Sequence, residues 1–125
     1  MPQKPVILVV DDDAPILLLM RSLLREFGFE PLTAASGEEA LEAARRDRPA
    51  LVLLDLNMPG MNGEEVVRAL RNESTEGRLP ILIVSGAPVS AKELHELDAD
   101  GAVLKPFDVP ALIEQIRSHV AATAG

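Results

Sequence analysis

Three consecutive carboxylates, Asp11-Asp12-Asp13, follow the apolar run VILVV, and a single carboxylate, Asp55, follows LVLL. Ser85 and Gly86 follow ILIV, and Lys105 follows AVL. Brought together, these carboxylates, the hydroxyl and the ammonium suit a hard divalent cation and a transferable phosphoryl group. Such cations favour oxygen ligands, and a phosphoryl group needs positive charge around it before an anion can attack. Asp55 stands alone at its run end and is the candidate nucleophile, because an aspartate carboxylate can attack phosphorus to give an acyl phosphate. Lys105 offers a compact cation for a phosphoryl oxygen or for free Asp55. Ser85 offers a hydroxyl that can turn toward an arriving phosphoryl group, and Gly86 leaves room for its approach.

The elements that must position these groups are legible in the spacing. Short runs rich in Val, Ile and Leu between helical patterns read as buried parallel strands. Strands are expected at 6–10, weakly at 30–34, and at 51–54, 81–84 and 102–104. Between them, Ile16, Leu19, Met20, Leu23, Leu24 and Phe27 form one helical stripe that Gly28 ends. Ser36 with Glu39, Asn62 with Glu65 and Ser90 with Glu93 mark three further helix starts. Asp108 opens a last helix with the apolar face Val109, Leu112, Ile113, Ile116 and Val120. Five βα units joined by right-handed crossovers make an α/β, doubly wound parallel sheet. Ligands bind such sheets beyond the carboxyl ends of the strands, where all the polar groups above fall.

Composition narrows the function classes. The 125 residues and 47% hydrophobic content fit one domain, 1–125, with a single core. No apolar run is long enough for a membrane span, and the first run is cut off by Asp11 to Asp13 too early for a signal peptide. With no cysteine, disulfides and thiolate metal sites are excluded, and a reducing cytosol is compatible. A formal charge of −8 argues against direct nucleic acid binding, and three Phe residues give no base-stacking platform. No length is left for a helix-turn-helix or catalytic output domain within this chain.

VVDDD, LLDLNMPGMNG, IVSG and LKPF, in this order, resemble the motifs of a response-regulator receiver domain over nearly the whole chain. The resemblance implies a flavodoxin-like (βα)5 fold with strand order 2-1-3-4-5. It implies a phosphoacceptor switch in a two-component relay, taking a phosphoryl group at Asp55 from a histidine kinase or a histidine phosphotransfer domain and losing it slowly. Implied with it is a Mg2+ ion, replaceable by Mn2+, held by Asp12, Asp55 and the backbone carbonyl of Asn57, with Asp11 acting through a metal-bound water. Ser85, Gly86 and Lys105 take the phosphoryl-binding and switch roles, and the Lys105–Pro106 bond is expected to be cis. A cytoplasmic protein is implied, a monomer or a weak phosphorylation-dependent dimer that signals to a downstream effector.

The chain departs from the family pattern in three places. Ala102 stands where most receivers carry the Tyr or Phe that moves with the switch hydroxyl. The interval from Ser85 to Lys105 is short, so the fourth helix is expected to be short. Leu17 and Leu18 stand where many receivers are polar or basic, and Leu18 points away from the core stripe, which makes it a candidate docking residue for the phosphodonor.

Duller readings stand beside the functional ones. Asp13 reads as a helix N-cap, Asn62 and Gly63 as turn and cap residues, and His95 and His119 as solvated side chains. Met58 and Met61 flank the loop after Asp55 as packing residues. A haloacid-dehalogenase-type phosphatase, with Asp11-Asp12-Asp13 as its nucleophile region, lacks the expected following Thr or Val and the length for a substrate cap. A pseudo-receiver that only binds proteins would not need Asp11, Asp12, Asp55 and Lys105 together.

Overall fold

The computed structural model describes residues 4–58, 60, 62–73 and 78–124, with side chains as far as 120. Met61, and Pro59 of the LLDLNMPGMNG motif, lie outside the described residues. Five strands alternate with five helices: β1 (Val6–Val10), α1 (Ala14–Glu26), β2 (Glu30–Ala34), α2 (Gly37–Asp47), β3 (Leu51–Asp55), α3 (Gly63–Glu73), β4 (Ile81–Ser85), α4 (Ala91–Leu97), β5 (Gly101–Leu104) and α5 (Val109–Ala124). The strands pair in parallel in the order β2-β1-β3-β4-β5. Strand order reverses at β1, so β1 and β3 diverge into a crevice at their carboxyl ends. Asp11 and Asp55 arrive there together, because Val10 pairs with Leu54 across the ladder.

Both faces of the sheet are covered, which is why β1, β3 and β4 are apolar at successive positions rather than at alternate ones. One face packs Leu8, Val52, Leu54 and Ile83 against Ala40, Ala44, Val67 and Leu70 of α2 and α3. The other packs Ile7, Leu53 and Leu82 against Met20 and Leu24 of α1 and Leu112 and Ile116 of α5. Alanines on α2 bring that helix close to the sheet.

The expected caps form. Ser36 Oγ accepts from Glu39 N at 3.1 Å, Asn62 Oδ1 from Glu65 N at 3.2 Å, and Asp108 Oδ1 from Ala111 N at 3.3 Å. Ser90 and Glu93 complete a reciprocal capping box on α4, which is indeed short at seven residues.

Two expectations need correction. Leu19 belongs to the apolar stripe of α1 but is 56% exposed. Adjacent helix positions differ by about 100°, and Met20 and Leu24 take the sheet-facing line. Leu19 therefore turns toward the β5–α5 loop. It joins Ile16, Leu23, Phe107 and Val109 along an apolar groove with Lys105 and Pro106 at its wall. His119 is half-buried rather than solvated, and its Nδ1 lies 3.0 Å from the carbonyl oxygen of Gln115. His95 is exposed, as expected.

Candidate functional site

Asp11 and Asp55 are the only polar side chains fully buried among the described residues, at 3% and 4% exposure. Each forms the same local arrangement. Asp11 Oδ1 accepts from Asp13 N at 2.9 Å, and Asp55 Oδ1 accepts from Asn57 N at 2.9 Å. Each carboxylate therefore folds back on the backbone two residues ahead, an Asx turn that fixes its direction as the strand ends. The second oxygens share one donor. Lys105 Nζ donates to Asp11 Oδ2 at 3.4 Å and to Asp55 Oδ2 at 3.3 Å. Both contacts exceed the roughly 2.8 Å typical of a charge-assisted bond, so the ammonium is shared between the carboxylates rather than committed to one.

Electrostatics follow from this crowding. Burial pushes the Asp11 carboxyl above its ordinary range; the Asp13 amide works against that shift and the Asp55 charge reinforces it. Burial also disfavours the charge on Lys105, but Asp55 and Asp11 outweigh it and hold the ammonium above its ordinary value. Asp12 is exposed at the mouth. One oxygen from each of Asp11, Asp12 and Asp55 lies within 4.8 Å of the others. Three carboxylates against one ammonium leave two negative charges uncompensated. The donor set is all oxygen, with no thiolate or imidazole, so it fits a small hard dication such as Mg2+ and not a softer metal.

The remaining site residues are placed as follows. Ser85 ends β4 half-buried, and its Oγ accepts from Ala87 N at 3.2 Å. Gly86 is exposed, and a side chain built there would meet nothing within 4 Å, so approach from that side is open. Asn57 is exposed, with its amide on Asp55. Lys105 N donates to Ser85 O at 2.8 Å, which ties the lysine to the strand that carries the serine. The Lys105–Pro106 bond is cis. Asp13 is the α1 N-cap, accepting from Ile16 N at 3.4 Å, and lies outside the acidic trio. Ala102 is half-buried on β5, and its carbonyl accepts from Gln115 Nε2 at 3.2 Å.

Gly63 has a packing role that its reading as a turn residue understates. A Cβ there would come within 2.5 Å of Leu56 Cδ2, so α3 starts close against the residue after Asp55. Also unforeseen is an arginine clamp at the opposite end of the sheet. Arg71 and Arg78 hold Asp98 and Asp100, and Asp100 Oδ2 accepts from Ile81 N at 2.8 Å. No sequence motif announces these pairs, which are 20 to 29 residues apart.

Residues 7–117 match the family model described as the response regulator receiver domain. The chain belongs to the response regulator receiver family. This receiver is 39% identical over 116 residues to the DNA-binding response regulator MtrA of Mycobacterium tuberculosis, covering 91% of this chain and 50% of MtrA. It spans about half the length of the curated relatives it matches. Among solved structures it is similar to the chemotaxis protein CheY4 of Vibrio cholerae, with a TM-score of 0.84 and 33% identity, covering 92% of this chain and 98% of CheY4. A CheY-like receiver domain protein of Methanospirillum hungatei gives a TM-score of 0.86 at 26% identity, covering 98% of both chains. No helix of the receiver, among the described residues, is long and apolar enough to cross a membrane.

Proposed function

We propose that this receiver is a phosphoacceptor switch whose reactive group is Asp55. The observation that carries the reading is the sharing of Lys105 by Asp11 and Asp55 inside the crevice. An Asp55 carboxylate oxygen attacks the phosphorus of a phosphohistidine, the P–N bond breaks, and the imidazole nitrogen leaves. Lys105 then pairs with a phosphoryl oxygen in place of the Asp55 charge it neutralises beforehand, and the Ser85 hydroxyl turns from Ala87 N toward another oxygen. Asp12, Asp55 and the Asn57 backbone carbonyl would hold the metal, with Asp11 reaching it through a water. Mg2+, or Mn2+, supplies neutralisation of the negative charges that meet during transfer. Slow hydrolysis of the acyl phosphate resets the switch, and Asn57 and Ala87 line the approach of that water. The chain turns over no separate substrate.

The phosphodonor is a histidine kinase or a histidine phosphotransfer domain. Leu18 is 65% exposed on α1, the helix that starts just after Asp11–Asp13, and on this reading it belongs to the surface that meets the donor. The response passes to an effector protein in the cytoplasm. MtrA is a DNA-binding regulator of about twice this length; the formal charge of −8 argues against this chain holding nucleic acid by itself. Incubation with acetyl phosphate tests the chemistry: labelling requires magnesium on this account, and equal labelling in excess EDTA overturns it.

A further inference from the structure

Strand β5 is an edge strand of four residues, paired only with β4. It begins Gly101-Ala102 and ends beside Lys105, the residue shared by Asp11 and Asp55. On its open side the Gln115 carboxamide of α5 donates from Nε2 to Ala102 O at 3.2 Å. The two small residues make that approach available. A Cβ at Gly101 would lie 3.1 Å from Gln115 Nε2 and 3.9 Å from His119 Cε1, so any side chain there would press on the carboxamide. His119, one turn further along α5, has its Nδ1 3.0 Å from the Gln115 carbonyl oxygen.

We propose that Gln115 is a positioning residue that ties β5 to α5 and carries displacement of β5 into that helix. The proposal rests on the phosphoacceptor reading, because the displacement begins when Lys105 exchanges Asp55 for a phosphoryl oxygen. Lys105 is also bonded through its amide to Ser85 O, so the lysine and the end of β4 move together. Upstream of Lys105, β5 has only four residues and is paired along one side, with β4. Its Ala102 carbonyl is held by a side chain from a different element, and the shift leaves the sheet there. Gln115 thereby supplies a route that needs no bulky side chain at Ala102.

The test compares the whole chain with Gln115→Glu, which keeps the shape but removes the donor, Gln115→Leu, which removes all polarity, and Gln115→Lys, which restores a donor. In the resting protein, the carbonyl carbon shift of Ala102 moves in Gln115→Glu and Gln115→Leu; an unmoved shift in both overturns the tether. With magnesium and beryllofluoride, exchange of the α5 amides in the native chain changes about threefold or more. That response falls by at least half in Gln115→Glu and Gln115→Leu and returns in Gln115→Lys. Undiminished responses in the donor-less variants, or a silent α5 in the native chain, overturn the relay. Should Gln115→Glu fail to fold, the comparison of Gln115→Leu with Gln115→Lys decides. Intact mass after acetyl phosphate keeps the two claims apart. Label without an α5 response defeats only the relay, whereas no label on the native chain defeats the phosphoacceptor reading and the relay with it.

Discussion

Lys105 Nζ sits 3.3 Å from Asp55 Oδ2, reaching across from the edge strand to the strand at the middle of the sheet. Among the described residues it is the one cation paired with the two buried carboxylates, so its removal leaves both unneutralised. Lys105→Met is expected to destabilise the metal-free protein by about 1–3 kcal/mol. The same variant should gain more from magnesium than the native chain, since the metal then replaces a missing charge. Urea unfolding of both proteins in EDTA and in magnesium measures this, and an equal magnesium gain in the two would contradict it.

Metal binding should register as stability in the native protein as well. Asp11 resists ionisation because of its burial and its neighbour Asp55, and a dication relieves that cost. Mass action gives about 1.4 kcal/mol at a magnesium concentration ten times Kd. Asp12→Asn, which alters the exposed member of the acidic trio and leaves the core intact, should shrink the effect. A thermal midpoint unmoved by millimolar magnesium would count against the site.

The arginine clamp predicts a separate pH dependence. The Arg78 hydrogen bond holds Asp98 below the usual carboxylate range. Burial would raise Asp100, but Arg78, the Ile81 amide and Arg71 outweigh it and leave its pKa lowered. A carboxylate with a lowered folded pKa stabilises the fold fully above its unfolded value and loses that contribution as pH falls through the folded one. Asp100→Asn should therefore cost about 1–3 kcal/mol at neutral pH, and the gap to the native chain should narrow as pH falls through and below the ordinary carboxylate range. Denaturant midpoints across that range test the sign; a gap that widens toward acid refutes it.

Leu18 separates docking from chemistry. Being 65% exposed, it can become Lys at little cost to the fold. Leu18→Lys should slow phosphotransfer from a cognate kinase by on the order of tenfold while leaving labelling by acetyl phosphate unchanged. Equal kinase rates would remove Leu18 from the interface.

What the sequence made legible was local. The strand ends and the capping pairs Ser36–Glu39 and Ser90–Glu93 each depend on residues a few positions apart, and the short α4 followed from the interval between Ser85 and Lys105. Such patterns are visible without coordinates. Leu19 misled because a helical stripe tells which side of α1 is apolar, not which of two neighbouring lines meets the sheet. Gln115 and the pairing of Arg71 with Asp100 were invisible for another reason: their partners are 13 and 29 residues away. An exposed-looking Gln or Arg on a helix carries no sign of them. The gathering of polar groups at the strand ends could thus be read directly, while the connections leading away from them required the packed fold.

Phosphorylation of Asp55 is the claim on which the rest depends, and intact mass after incubation with magnesium and acetyl phosphate tests it most directly. The native chain should gain one phosphate that hydroxylamine removes, and Asp55→Asn should gain none. A label that survives in Asp55→Asn but vanishes in Asp11→Asn would place the nucleophile after β1 and contradict the account; absence of any label on the native chain would contradict it too.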